Sequence, residues 1–178
     1  MLQAFFLWFY CLSISDAVLL VLLFSAAFLI LRRWLCEKRL WRPVILLLLF
    51  IWLAVIAVAT LTERSPGAVP QAPYLIPFHS YRAVLAGGNI ELLRSNFMNV
   101  VLFYPAGLLT YDLLPKRWSG AKKLLLLTSL FAMVSIGIEA CQYHFALGQA
   151  EVDDVIHNVL GALIGALVCT IHIQENCT

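Results

Sequence analysis

Charge is what this chain has least of: Asp, Glu, Lys and Arg make up 12% of its 178 residues. A soluble domain carries about 25%, so an ordinary water-facing surface is excluded. The formal net charge of +2 is too small to mark a nucleic-acid partner. No stretch alternates apolar and polar with period two, which excludes a membrane β-barrel. No internal repeat or low-complexity segment is present, and the composition excludes disorder, coiled coils and collagen-like repeats. The five cysteines form no CxxC pair and have no zinc-like histidine spacing. Gly-x-Ser-x-Gly, Walker and His-Glu-x-x-His motifs are absent, so neither a metal nor a cofactor is expected. No Lys or Arg precedes Arg32. Residues 1–15 therefore read as an interfacial segment or frayed helix start, not a cleaved leader.

Apolar residues, in contrast, make up 62% of the chain. A membrane-crossing helix needs about 20 consecutive, mostly apolar residues. Five stretches qualify: 15–34, 43–61, 95–114, 123–145 and 153–173. The expected fold is an all-α, polytopic transmembrane helix bundle. It divides into two N-terminal spans (1–63) and a second unit (64–178) holding a long loop and three spans. The loops at 32–42 and 116–123 hold nine basic residues, against Arg64, Arg82 and Arg94 elsewhere. By the positive-inside bias the expected topology is N-out/C-in. Cys36 and Cys177 then face the cytosol, and the remaining cysteines read as small buried hydrophobes. The loop between spans two and three carries Pro66, Gly67, Pro70, Pro73 and Pro77, and its Tyr74, Leu75, Ile76, Phe78 and Tyr81 suit docking on the membrane surface.

Polar residues gather towards the outer ends of the last three spans. Asn96 and Asn99 lie three residues apart near the start of the third. Pro105 and Gly107 follow mid-span, where a proline removes a backbone donor and favours a kink. Glu139 and Gln142, also three apart, lie near the end of the fourth; Glu139 stands about 24 Å from Lys123 along a helix. The fifth opens with Asp153, Asp154, His157 and Asn158. Asp154, Asn158, Gly161 and Gly165 share one face, and Gly161-x-x-x-Gly165 suits close helix approach. Either Asp153 or Asp154 can cap that helix. The cytoplasmic halves of these spans read as almost purely apolar. The expectation is a polar, ligand-binding pocket on the outer side, with Asn99, Glu139, Gln142, Asp154 and Asn158 lining one cavity. Two carboxylates of unequal burial, Glu139 and Asp154, are the candidate catalytic pair if the pocket does acid–base work. A third reading makes the polar residues interhelical glue.

Three blocks of sequence resemble the VanZ-like family of membrane proteins, known for a teicoplanin-resistance member. The first is Tyr74-Leu75-Ile76-Pro77-Phe78, similar to the family's Asn-Leu-Ile-Pro-Phe turn. The second runs from Asn96 through Phe103, Pro105 and Gly107 to Leu109. The third is Glu139-x-x-Gln142 followed by Asp153-Asp154-x-x-x-Asn158-x-x-Gly161-x-x-x-Gly165. Gly148-Gln149 stands where the family often has an arginine. The resemblance implies a multi-pass protein of the bacterial cytoplasmic (inner) membrane that acts in the cell envelope. It also implies a partner among membrane lipids, lipid-linked wall precursors or lipoglycopeptides.

The charge distribution gives a direct test of topology. Reporter fusions after Glu37 and Lys116 should read cytoplasmic, and fusions near Pro70 and Gln149 extracytoplasmic. A cytoplasmic reading at Pro70 would reverse the pocket's sidedness too.

Overall fold

The computed structural model describes residues 12–37, 40–62, 72–88 and 90–173. Residues 1–11, Cys177 and the Pro66, Gly67 and Pro70 part of the second loop lie outside the described residues. All regular elements described are helices: α1 (Ile14–Glu37), α2 (Trp41–Ala57, continued by a π-turn at Val58–Thr62), α3 (His79–Leu85), α4 (Glu91–Leu113), α5 (Gly120–His144) and α6 (Val152–Ile173). Local chemistry starts several of them. The Ser13 hydroxyl accepts from Asp16 N–H, and the Asp16 carboxylate accepts in return from Ser13 N–H, both at 3.2 Å. This reciprocal cap begins α1 and gives Asp16 a structural role. Ser119 caps α5 by accepting from Lys122 N–H.

α1, α2, α5 and α6 are long and apolar enough to cross a membrane. Their outward faces carry residues such as Leu22, Ile30, Leu47, Phe50, Leu125, Met133 and Ile171. α4 is less apolar, but its 23 residues make about 34 Å of helix, long enough to match a bilayer core. It starts at Glu91, earlier than the apolar run suggested, because the acidic side chain suits a helix N-terminus. From Val101 to Tyr111 every residue of α4 is buried, so the other helices enclose it.

Contacts at the helix ends set an up–down alternation. At one end Arg94 of α4 donates to the Leu12 carbonyl just before α1, and Gln142 of α5 donates to the Thr60 carbonyl in the π-turn. At the other end Arg32 of α1 and Trp41 of α2 both meet Asp112 of α4. Thus α1 and α4 run one way, and α2 and α5 the other. Pro105 leaves α4 helical throughout; Trp52 of α2 donates to the Leu102 carbonyl, at 2.8 Å, in the turn the proline disturbs.

The tightest contact is α4 against α6. A Cβ added at Gly161 would lie 2.2 Å from the Val100 carbonyl oxygen, and one at Gly165 would lie 2.1 Å from that of Tyr104. At Gly107 it would lie 2.0 Å from the Ala162 carbonyl oxygen. Backbone therefore meets backbone. The pairing advances in step along both chains, from Val100–Gly161 to Tyr104–Gly165, so α4 and α6 run parallel.

One part of the sequence reading needs correcting. The end holding Asp112 is not purely apolar. Arg32 Nε lies 3.1 Å from Asp112 Oδ1, with both side chains buried, and Trp41 donates to the second carboxylate oxygen. Lys123 is also buried and sits over the Tyr111 ring. Asp112 falls inside the run first counted as a span, where a buried ion pair joins three helices.

The glycine contacts predict opposite effects at two positions. Gly161→Ala forces a methyl group into backbone, and overpacking of this kind costs about 1–3 kcal/mol. At Gly137 of α5 an added Cβ meets nothing within 4 Å, so Gly137→Ala should stabilise by up to about 1 kcal/mol. Thermal unfolding of the purified proteins should move down for the first and up for the second.

Candidate functional site

The polar end of α4 and α6 is organised by Asp153. Its carboxylate accepts from Phe78 N–H at 2.5 Å, Ser80 N–H at 2.9 Å and the Ser80 hydroxyl at 2.8 Å. These donors sit at the start of α3, so Asp153 holds the N-terminus of a different helix as well as lying in the first turn of its own. To converge on one carboxylate the chain turns at Phe78 with φ of 61°, a left-handed conformation uncommon for a bulky residue. Tyr74 extends the same attachment. Its N–H donates to the Ala150 carbonyl, and its carbonyl accepts from Val152 N–H.

His157 stands one turn below. Its Nδ1 lies 2.5 Å from the Asp153 carbonyl oxygen, which can only accept, so Nδ1 carries the proton. Nε2, 2.7 Å from the Tyr81 hydroxyl, then accepts in the neutral ring. His157 therefore ties Tyr81 of α3 to α6, and no metal-ligating cluster of His, Cys, Asp and Glu occurs among the described residues.

The other polar residues divide by what they hold. Glu139, 7% exposed, accepts from Glu151 N–H at 2.9 Å and fixes the end of the α5–α6 loop. Gln142 donates to the Thr60 carbonyl at 3.0 Å, securing the π-turn after α2. Asn158 Nδ2 donates to Ser135 of α5 at 2.9 Å. Among the described residues, three buried side-chain atoms have no hydrogen-bond partner: Asn96 Nδ2, Asn99 Nδ2 and Asn158 Oδ1. Asn96 lies in the second turn of α4, too far in to serve as its cap.

A cavity of about 200 Å³ opens beside this attachment. It is lined by Ser80, Leu92, Ser95, Asn96, Gln149, Glu151 and Asp154. Asn96 and Asp154 thus share it. Asn99, Glu139, Gln142 and Asn158 do not line it, contrary to the single cavity expected. The physical reason is that Glu139, Gln142 and Asn158 are turned onto main-chain or hydroxyl partners within the helix bundle. Asp153 and His157 face α3 instead. Ser80, Ser95 and Gln149 were not marked from sequence, because a single serine near a helix start, or a glutamine in a loop, carries no distinctive pattern. Asp112 was also missed, although an ionisable residue inside an apparent span is itself a signal.

A bundle of long apolar helices around a buried polar end defines a multi-pass helical membrane protein. The sequence profile of the VanZ/LLP1 family matches residues 40–173, which takes in α2 to α6. The chain belongs to that family. Neither a curated protein nor a solved structure matches it.

The role of Asp153 is testable without a ligand. Asp153→Ala removes three hydrogen bonds and should release residues 74–85. Hydrogen exchange in that segment should accelerate by at least about tenfold, given roughly 1.5 kcal/mol or more for bonds to a charged acceptor. Exchange in the buried part of α4 should stay slow. Unchanged protection of 74–85 would mean that other contacts hold the loop.

Proposed function

We propose that this protein sits N-out/C-in in the bacterial cytoplasmic membrane and uses the Asn96–Asp154 cavity, opening outward, to bind a polar group of an envelope molecule. The group belongs to a membrane lipid, a lipid-linked wall precursor or a lipoglycopeptide, and binding lowers sensitivity to teicoplanin-type drugs. The observation that carries this is Asn96. The residue is 3% exposed, its Nδ2 is unpartnered, and it lines an opening. Leaving a buried amide donor unsatisfied costs about 1–3 kcal/mol, and a bound acceptor removes that cost. The volume corresponds to roughly half a dozen waters, so one headgroup or one substituent enters, not a whole glycopeptide. Family membership and the outward-facing apolar helices support a site at the membrane surface.

An enzymatic reading rests on Glu151 and Asp154, two carboxylates on one cavity wall, which could divide acid and base work. Glu139, the other carboxyl proposed for acid–base work, accepts from the Glu151 backbone N–H through one of its oxygens.

Two substitutions separate the roles. Asp154→Asn should abolish the deletion-linked envelope or drug-sensitivity phenotype at normal membrane abundance. Glu139→Gln, whose amide oxygen can still accept from Glu151 N–H, should retain most of it. Full activity of Asp154→Asn would remove the cavity from the function. A comparison of lipids and wall precursors with and without the protein distinguishes binding from chemistry: a covalent change selects the enzyme.

A further inference from the structure

The stretch at residues 72–88 is short of charge for a connection between helices. It holds one charged residue, Arg82, where a water-facing stretch of this length carries about four. Its large apolar side chains are bare. Leu75 is 72% and Leu85 89% exposed, as much as Phe50 on the outward face of α2, at 73%. Ile76 and Phe78 are exposed as well. Tyr81 and Leu85, four residues apart, share one face of α3, and the Phe78 ring packs edge-on against that of Tyr81. The opposite face carries Ser80, which is buried, with Ala83 and Val84, which are half-buried. α3 is therefore two-faced, and the face turned away from the bundle is the more apolar one.

The attachment of this stretch sets its depth. Tyr74 N–H donates to the Ala150 carbonyl at 2.9 Å, and Val152 N–H donates to the Tyr74 carbonyl at 3.0 Å. Asp153 holds the main chain of Phe78 and Ser80. Val152 and Asp153 open α6, a helix long and apolar enough to cross a membrane, so residues 74–85 are fixed where a span ends. At that depth aromatic rings sit among headgroups, and a long cationic side chain reaches the phosphates while its stem stays in apolar surroundings. Phe78, Tyr81 and Arg82 supply both features. We infer that residues 74–85 form an interfacial anchor. Leu75, Ile76, Phe78 and Leu85 enter the boundary between headgroups and acyl chains, and Arg82 stays at the phosphates. The partner is the lipid surface of the membrane that the bundle crosses, and the anchor does not depend on what the cavity binds. Ser80, on the opposite face of α3, lines the cavity, so the anchor holds one cavity wall at headgroup depth.

The test uses the full chain in phosphatidylcholine nanodiscs, with trifluoromethyl-phenylalanine in place of Phe78, of Leu85 or of Phe50, and reads fluorine NMR relaxation. Three paramagnetic agents are compared: lipid spin-labelled near the ester end of its acyl chain, lipid labelled near the methyl end, and a water-soluble gadolinium chelate. At Phe78 and Leu85 the ester-end label should act about twofold or more above the methyl-end label, because an interfacial face reaches about 5–10 Å into the headgroup–acyl boundary. At Phe50, inside the second span, the order should reverse. Leu75→Glu combined with Leu85→Glu should lower the ester-end effect at Phe78 by about twofold or more and leave Phe50 unchanged. Relaxation of Phe78 and Leu85 by the chelate, with no effect of either lipid, overturns the inference, since the face then meets water. No response to any agent also overturns it, since protein (a second copy or another part of the chain) then covers the face. A stronger effect of the methyl-end label overturns the interfacial depth. An unchanged Phe78 response in a double variant that keeps the wild-type thermal midpoint overturns the anchor, because the Asp153 attachment alone then sets the depth. The single-site readings decide by themselves if the double variant does not fold.

Discussion

Everything at the polar end depends on how closely α4 and α6 approach. With glycine at 107, 161 and 165, the backbones touch where any side chain would collide with a carbonyl oxygen. Such contact gains dispersion energy along its whole length, and in a membrane it replaces the hydrophobic force that would pack helices in water. It also fixes register. Once Val100 meets Gly161 and Tyr104 meets Gly165, Asn96, one turn back on α4, and Asp154, two turns back on α6, come to a common opening. The cavity is thus a consequence of the glycine seam. A sliding seam would move Asn96 away from Asp154 without altering either residue.

The second constraint is that buried polar groups need partners. Several of the charged or amide side chains here satisfy main chain: Asp153 the start of α3, Glu139 the loop before α6, Gln142 the π-turn after α2. Each side chain works against a structural fault that the fold would otherwise leave buried, namely a helix start, a loop end or a disturbed helical turn. Polar residues in this chain therefore serve two purposes. Their type does not distinguish them, because Glu139 and Asp154 are both buried carboxylates at one end of the bundle. Their places do: the Glu139 carboxylate accepts from a backbone N–H, and Asp154 lines the opening.

This explains what could be read from sequence. The helical class and the apolar spans followed from composition and run length, because a membrane span is a local property of some twenty residues. The seam was visible as a four-residue glycine spacing on the face shared with Asp154 and Asn158. The allocation of polar residues was not visible, since it depends on which carbonyl or N–H another element brings near. Gln142 meets Thr60 only because α2 ends in a π-turn. Asp112 was overlooked for a different reason. It lies close to Lys116 and Arg117 in sequence and resembles a solvated loop charge, whereas its partner Arg32 is far away in the chain.

The two ends of α4 are built by different interactions. At the Asp112 end the carboxylate receives a guanidinium from α1 and an indole N–H from α2. Opposite charge and two directed donors close the space around it, and the pair is buried as a unit. At the Asn96 end the contacts are of another kind. Asp153 pulls the 74–85 segment down onto α6, so that Ser80 forms one wall while Ser95 and Asn96 of α4 form the other. Attraction between unlike groups collapses the first end. Attachment of a loop by one aspartate builds the wall of the second. The space is kept by the same residue pair, Asp153-Asp154, in which the first anchors the wall and the second lines the cavity.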